Sequence, residues 1–432
     1  MTDASIFSTL VFAAVLLLGL LTRFYLASRQ VRHVMRHRDQ VPAAFTGTIT
    51  LGAHQKAADY TVAKARFGML EIAFSSAILL GWTLLGGIDA LHRAISASGL
   101  GDFGALVPQI ALLAAFALVS GLLELPWTLY STFKIEERFG FNQTTLKLWF
   151  TDLLKSTLLG AVIGLPLVSL MLWLMASTGS FWWLWAWGVW MIFNLLVLTL
   201  YPTLIAPLFN QFKPLDDETL KARVTALMQR CGFAAKGLFV MDGSRRSAHA
   251  NAYFTGFGAA KRVVFYDTLL KQLSPAEVDA VLAHELGHFK HKHIVKRMTS
   301  LFGLSLIGFA LLGWLASQSW FYTGLGVRPN PGGGNEAIAL LLFMLVIPLF
   351  SFFISPLMAR FSRKHEFEAD AYAVSQTAAQ DLRSALLKLY QDNASTLTPD
   401  PVFAKFYYSH PPASERLGRM MLAPTQAAPA TP

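Results

Sequence analysis

The chain reads as a mainly α-helical, multi-pass membrane protein: seven transmembrane helices with an α+β domain split between two polar stretches on the cytoplasmic side. Three observations lead there. Hydrophobic residues make up 54% of the 432 and charged residues only 14%, whereas a soluble globular chain carries about 25% charged residues. The apolar residues cluster in seven long segments, each near or above the roughly 20 residues needed to cross a hydrocarbon core. Lys and Arg alternate from loop to loop, as the positive-inside rule requires.

The segments run approximately 6–22, 67–87, 104–130, 156–176, 180–205, 298–320 and 337–358. The first follows MTDAS, which offers an acid where a secretory signal needs a basic n-region, so it reads as a retained span. Glu124 and Pro126 in the third and Pro202 in the fifth are polar or helix-breaking groups at membrane depth. Such residues face the bundle or a wet cavity. The first loop carries Arg23, Arg29, Arg32, Arg36, Arg38, Lys56, Lys64 and Arg66; the second has only Arg93. The third has Lys134, Arg138, Lys147 and Lys155, the fourth none, and the sixth only Arg328. This puts the N-terminus outside, and residues 206–297 and the C-terminus in the cytoplasm. The net charge of +10 is then topogenic charge against the lipids of an anionic leaflet, and no nucleic-acid partner is needed to explain it. Cys231, the only cysteine, permits no intramolecular disulfide and no thiolate cluster. A metal here must use His and carboxylate ligands.

The expected organisation is 1–209 for spans one to five, 210–297 polar, 298–361 for spans six and seven, 362–424 polar, and a disordered Ala/Pro/Thr-rich tail at 425–432. The two polar stretches are short and flanked by spans, so they are expected to pack together as one domain. Within the first, KGLFVMDGS (236–244) reads as a strand entering a turn, and NAYFTGFGAAKRVVFYDTLL (251–270) as two strands around a Gly-containing turn. Then Ser274 offers an N-cap, Pro275 suits the first helical position and Glu277 completes a capping box. A helix starting at 275 carries HELGH in its middle.

His284 and His288, four apart on that helix, project from one face and can share a tetrahedral metal. Glu285, about a hundred degrees round, can reach a water on the metal as general base. A bare HExxH also occurs by chance on solvated helices, and a catalytic zinc needs a third protein ligand. SRKHEFEADAYA (362–373) reads as a helix leaving the membrane after span seven. Glu366 and Asp370 share a face there, so Glu366 can ligate while Asp370 holds a ligand histidine by its other nitrogen. His365 is an alternative ligand, and Glu368 lies on another face. His291 and His293 fall off the His284/His288 face and read as cationic groups near a helix C-terminus.

HELGH (284–288) and EFEAD (366–370), set among seven spans, resemble the zinc-dependent membrane endopeptidases of the CAAX prenyl protease 1 type, the Ste24 family within the M48 metallopeptidases. IEERFGFNQTT (135–145), PLFNQFKPL (207–215), RSAHANAYFTGFG (246–258), FYDTLL (265–270) and YSHPPASERL (408–417) are similar to the same family, and the likeness covers about 60–420. The resemblance implies one zinc held by His284, His288 and Glu366, with Glu285 as base and Asp370 behind a ligand. It implies that Asn251 and His410, in the NAYF and SHPP motifs, stabilise the oxyanion, for which an amide and an imidazole are suitable donors. The NAYF strand would pair with an extended substrate. The family fold implies seven helices ringing an intramembrane chamber capped by a zincin-like domain. The implied activity is removal of the C-terminal tripeptide from a prenylated protein.

The ending APATP, without a dilysine-type signal, and the compact loops fit a bacterial inner-membrane protein as well as an ER one. A bacterial host favours a second reading, a quality-control protease for damaged or stalled membrane proteins. A third, a transporter or lipid-binding protein with a vestigial metal helix, would concentrate ionisable residues within the spans, where they are sparse. Glu285 has no use in such a protein. The expected form is a monomer acting on a peptide or lipidated protein.

Overall fold

The structure, a computed structural model, describes residues 2–233, 237–255 and 262–422. The tail 425–432 and the turn of the 251–270 stretch lie outside them. Among the described residues, seven helices are long and apolar enough to cross a membrane: Asp3–Arg36, Leu51–Trp82, Leu106–Glu136, Leu146–Ser177, Gly179–Phe209, His293–Leu315 and Glu336–Gln376. The second starts well before residue 67, because Thr50 caps a polar first half by accepting from the Ala53 N–H. Leu17, Leu118, Ile192 and Ile307 stay exposed on these helices, a surface that water would not tolerate and lipid would. Pro202, lacking the N–H a regular helix needs, sits in a π-helical turn at Tyr201–Ile205. Glu124 is exposed rather than packed against neighbouring helices.

The polar stretches build a small sheet and a set of helices. Strands β1 (Phe212–Pro214), β2 (Gly237–Met241), β3 (Ala252–Thr255) and β4 (Arg262–Tyr266) lie in the order β1-β2-β4-β3, with β2 and β4 parallel and the outer pairs antiparallel. The second strand of the 251–270 stretch ends earlier than expected: Asp267–Gln272 is helical, its acid well placed for a helix N-terminus. β3 is an edge strand. One hydrophobic core draws on both polar stretches, combining Leu220, Val224, Phe265, Leu282 and Leu286 with Ala373, Leu382 and Ala385.

At its centre the HELGH helix, Pro275–Lys290, crosses the EFEAD segment of Glu336–Gln376. That crossing depends on Gly287. A Cβ there would lie 2.9 Å from Ala369 Cα and 3.1 Å from Ala369 O, so only glycine lets the backbones approach this closely. Buried or half-buried ion pairs tie the polar region to the membrane helices. Arg246 grips Asp152 through Nε at 2.8 Å and Nη2 at 3.0 Å, and Arg29 grips Asp400 at 3.2 and 3.0 Å.

Candidate metal centre

The HELGH helix is fixed at its start by the expected cap: Ser274 Oγ accepts from the Glu277 N–H at 3.4 Å, and the Glu277 carboxylate accepts from the Ser274 N–H at 2.7 Å. Ten residues on, His284 and His288 face Glu366 across the helix crossing. Their Nε2 atoms are 3.3 Å apart. Glu366 Oε2 lies 3.5 Å from His284 Nε2, and its Oε1 lies 3.5 Å from His288 Nε2. Ligand distances near 2.1 Å in a tetrahedral site give edges of about 3.4 Å between donor atoms, so the spacing fits one four-coordinate ion with a position left open. Glu366 Oε2 is also buried with no hydrogen-bond donor among the described residues. A carboxylate oxygen in that state fits a bound cation. The three residues can hold a metal.

The electrostatics are consistent with that use. Burial first, then neighbouring His284, pushes His288 down to about 4, which keeps it neutral and able to ligate. Burial also opposes charge on His284, but Asp370 and Glu366 outweigh it and hold the imidazole up at about 9. A metal must therefore displace a proton there. Glu285, next along the helix, is raised to about 7, mainly by burial.

Asp370 Oδ1 lies 2.8 Å from His284 Nδ1, on the side away from the metal-facing Nε2. Its other partner is Arg416, whose Nε donates to Oδ2 at 2.8 Å and whose Nη2 donates to Oδ1 at 2.5 Å. Nothing in the sequence alone marks Arg416 for this role. It lies in the SERL end of the YSHPPASERL stretch, and its only signal is a cation on the short amphipathic helix Ala413–Leu422.

His410 comes to the cluster, its exposed ring placing Nε2 3.4 Å from Glu366 Oε1. The turn that carries it is held by Arg363, donating to Tyr408 O at 2.6 Å, and Tyr390, donating to Pro411 O at 3.2 Å. Asn251 stands apart. It is exposed at the head of β3, its Oδ1 accepts from the Ala252 N–H at 2.8 Å, and no hydrogen bond joins it to the cluster among the described residues. β3 itself rests on the HELGH helix through Phe254 and Phe289, ring centroids 5.3 Å apart.

The expectation for His293 is corrected. His291 does end the HELGH helix, but His293 opens the next one, is buried, and contacts His288. Lys292 makes the difference: its left-handed backbone, φ 55°, swings the chain round between the two helices. Glu368 and His365 are not in the His284 group and lie beside His293 instead.

Comparison with known proteins follows the same lines. A family model described as CAAX prenyl protease N-terminal, five membrane helices, matches residues 30–211, and one described as peptidase family M48 matches 214–421. A CAAX prenyl protease 1 homolog of Arabidopsis thaliana is 35% identical over 87% of this chain and 89% of its own length. CAAX prenyl protease 1 of Saccharomyces cerevisiae is 33% identical over 91% of this chain and 90% of its own. The crystal structure of S. mikatae Ste24p superimposes with a TM-score of 0.89 at 31% identity, covering 96% of this chain and 99% of that one. With the fold, the helix crossing and the donor cluster all in agreement, the chain belongs to the CAAX prenyl protease 1 family of M48 peptidases and is an integral-membrane metalloendopeptidase.

Proposed function

We propose that the metal is zinc, one per chain, held by His284, His288 and Glu366, and that the enzyme removes the C-terminal tripeptide of prenylated CAAX proteins. The observation that carries the metal assignment is the 3.3–3.5 Å spacing of the three donor groups, with a His₂Glu set of the kind zinc hydrolases use. When bound, zinc supplies the charge that acidifies water and polarises the scissile carbonyl. Glu285 takes the water's proton and passes one to the leaving amine, and its carboxyl near 7 suits both directions of transfer. Asp370 fixes the ring of His284. His410 and Asn251 donate to the oxyanion, and edge strand β3 offers backbone groups to an extended peptide.

The membrane part follows from the substrate. A prenyl chain must stay in an apolar medium while its peptide reaches the metal, which a ring of helices around a chamber provides. Glu124, a carboxylate exposed on a membrane helix, favours a wet interior to that ring. We place the N-terminus outside and the protease domain on the cytoplasmic face of a bacterial inner membrane, with the chain acting as a monomer.

The test is a farnesylated peptide ending in a C-a-a-X sequence, incubated with detergent-purified wild type and Glu285→Gln, with cuts mapped by mass spectrometry. Release of the tripeptide by wild type alone is expected. No cutting by a folded, zinc-loaded wild type would refute the CAAX specificity and favour unfolded membrane proteins as substrates. Equal cutting by both would remove Glu285 as base.

A further inference from the structure

We infer that His293 and Glu368 are positioning residues that lock the tautomer and orientation of His288. The inference rests on the proposal that His288 ligates through Nε2. That nitrogen faces the other donors, and the opposite one, Nδ1, lies 2.9 Å from Nδ1 of His293. Beyond it, Nε2 of His293 lies 2.8 Å from Glu368 Oε2.

The protons along this chain can be assigned from the chemistry alone. A neutral histidine carries one N–H, and a ligand nitrogen must present its lone pair. With Nε2 of His288 turned to the metal, its proton sits on Nδ1 and is donated to His293 Nδ1. Neutral His293 then carries its own proton on Nε2, where Glu368 accepts it. Each partner enforces the tautomer of the next, starting from a carboxylate that can only accept. The opposite arrangement would put a proton on the face of His288 that the metal needs.

The surroundings hold the chain in place. His293 is buried, 5% exposed, and enters from the left-handed turn at Lys292, a conformation that non-glycine residues rarely adopt. The ring of His365 lies flat against it, centroids 4.0 Å apart and 15° from parallel. Lys364 Nζ sits 3.7 Å from Glu368 Oε1 on the exposed side. The two histidines of HELGH are thus each backed by a carboxylate, His284 directly by Asp370 and His288 at one remove by Glu368 through His293. Carboxylates behind ligand histidines raise ligand basicity and fix ring orientation, and their loss weakens metal binding about 10- to 100-fold.

His293, His365 and Glu368 are close enough to hold an ion of their own, so the experiment separates the two uses. Purified full-length protein is loaded with zinc and challenged with a chelator, and separately substituted with cobalt for its visible spectrum. The variants are His293→Leu, His293→Asn, Glu368→Leu and Glu368→Gln. His293→Leu and Glu368→Leu are expected to release zinc about 10- to 100-fold faster than wild type and to alter the cobalt bands. His293→Asn is expected to restore most of the retention, since its Oδ1 can still accept from His288, and Glu368→Gln can still accept from His293. Should His293→Leu not fold, the Glu368 pair carries the comparison. Wild-type release and spectra in both leucine variants would overturn the inference. So would two metals per chain falling to one in Glu368→Leu, which would make the cluster a second cation site. A His284→Ala protein retaining as much zinc as wild type would instead overturn the ligand assignment beneath it.

Discussion

Replacing Arg416 by methionine should separate the stability of this site from its affinity for metal. Arg416 is 6% exposed and its partner Asp370 4%, and the two share two hydrogen bonds, at 2.8 and 2.5 Å. Removing one member of such a pair leaves an uncompensated buried charge, which costs about 3–5 kcal/mol. In the metal-bound state His284 is neutral and can offer Asp370 only one N–H, so it does not replace the lost cation. Arg416→Lys should fall between, because an ammonium cannot reproduce the two-pronged grip. The double variant Asp370→Leu/Arg416→Met removes both charges and should regain most of the stability, since a buried pair is worth little against well-packed apolar groups. It should not regain the metal: with nothing behind His284 Nδ1, zinc affinity is expected to stay about 10- to 100-fold low. Denaturant unfolding in detergent gives the first quantity and chelator competition the second. An Arg416→Met protein that unfolds within about 1 kcal/mol of wild type would refute the reasoning, as would a double variant that binds zinc as wild type does.

Three further outcomes follow from the same geometry. Gly287→Ala places a methyl 2.9 Å from Ala369 Cα; backbone cannot yield, so the helices should part at a cost of about 1–3 kcal/mol, seen as lower zinc content and a lower melting temperature. Glu285 must be ionised to accept a proton, and burial lifts its carboxyl from 4.5 to about 7, while a bound dication pulls it back. The acid limb of wild-type kcat/KM should therefore fall between those two values, and a limb outside that interval would assign it to another group. Glu277 is buried, and although burial raises its pKa, Lys388, Ser384 and the Ser274 N–H together hold it below the ordinary 4.5. A depressed carboxyl stabilises the fold above 4.5 and loses that contribution as pH drops through its folded value. Glu277→Gln should thus cost about 1–3 kcal/mol at pH 7, with the gap to wild type closing in acid; a gap independent of pH would refute the charge-based account.

What could be read from the sequence was local or governed by length. The membrane helices follow from long apolar runs, and the HELGH helix from a cap and a ligand pair within one element, so neither depended on knowing what packs against what. Pairing Glu366 with that helix already needed a contact between residues some eighty apart, and only the shared i, i+4 face with Asp370 suggested it. Arg416 gave no such signal, because nothing in a short helix after the SHPP turn says that its cation will be buried on Asp370. His293 escapes a sequence reading for a sharper reason. Five residues past His288 is the wrong face of a continuous helix, but the helix is not continuous, and one left-handed residue at Lys292 turns the wrong face into the right one. The same face argument excludes Glu368, and it holds for the metal but not for a residue whose partner arrives from another helix.

The continuity of Glu336–Gln376 explains how a membrane and a hydrolytic centre come to share one chain. A single helix of 41 residues carries both the seventh apolar segment and Glu366. From residue 358, where that segment ends, Glu366 is eight residues on, or about 12 Å at 1.5 Å per residue. A ligand on a rigid rod keeps that depth, whereas one on a loop would not. The crossing at Gly287 then brings the HELGH helix to the same level, and Arg246–Asp152 and Arg29–Asp400 tie the rest of the domain to the other membrane helices. The donor cluster is consequently held at a fixed distance beyond the end of the seventh apolar segment. For the prenylated substrate we propose, a soluble protease would have to extract the bond from the bilayer before cutting it; here the span that anchors the enzyme also sets the height of the donor cluster.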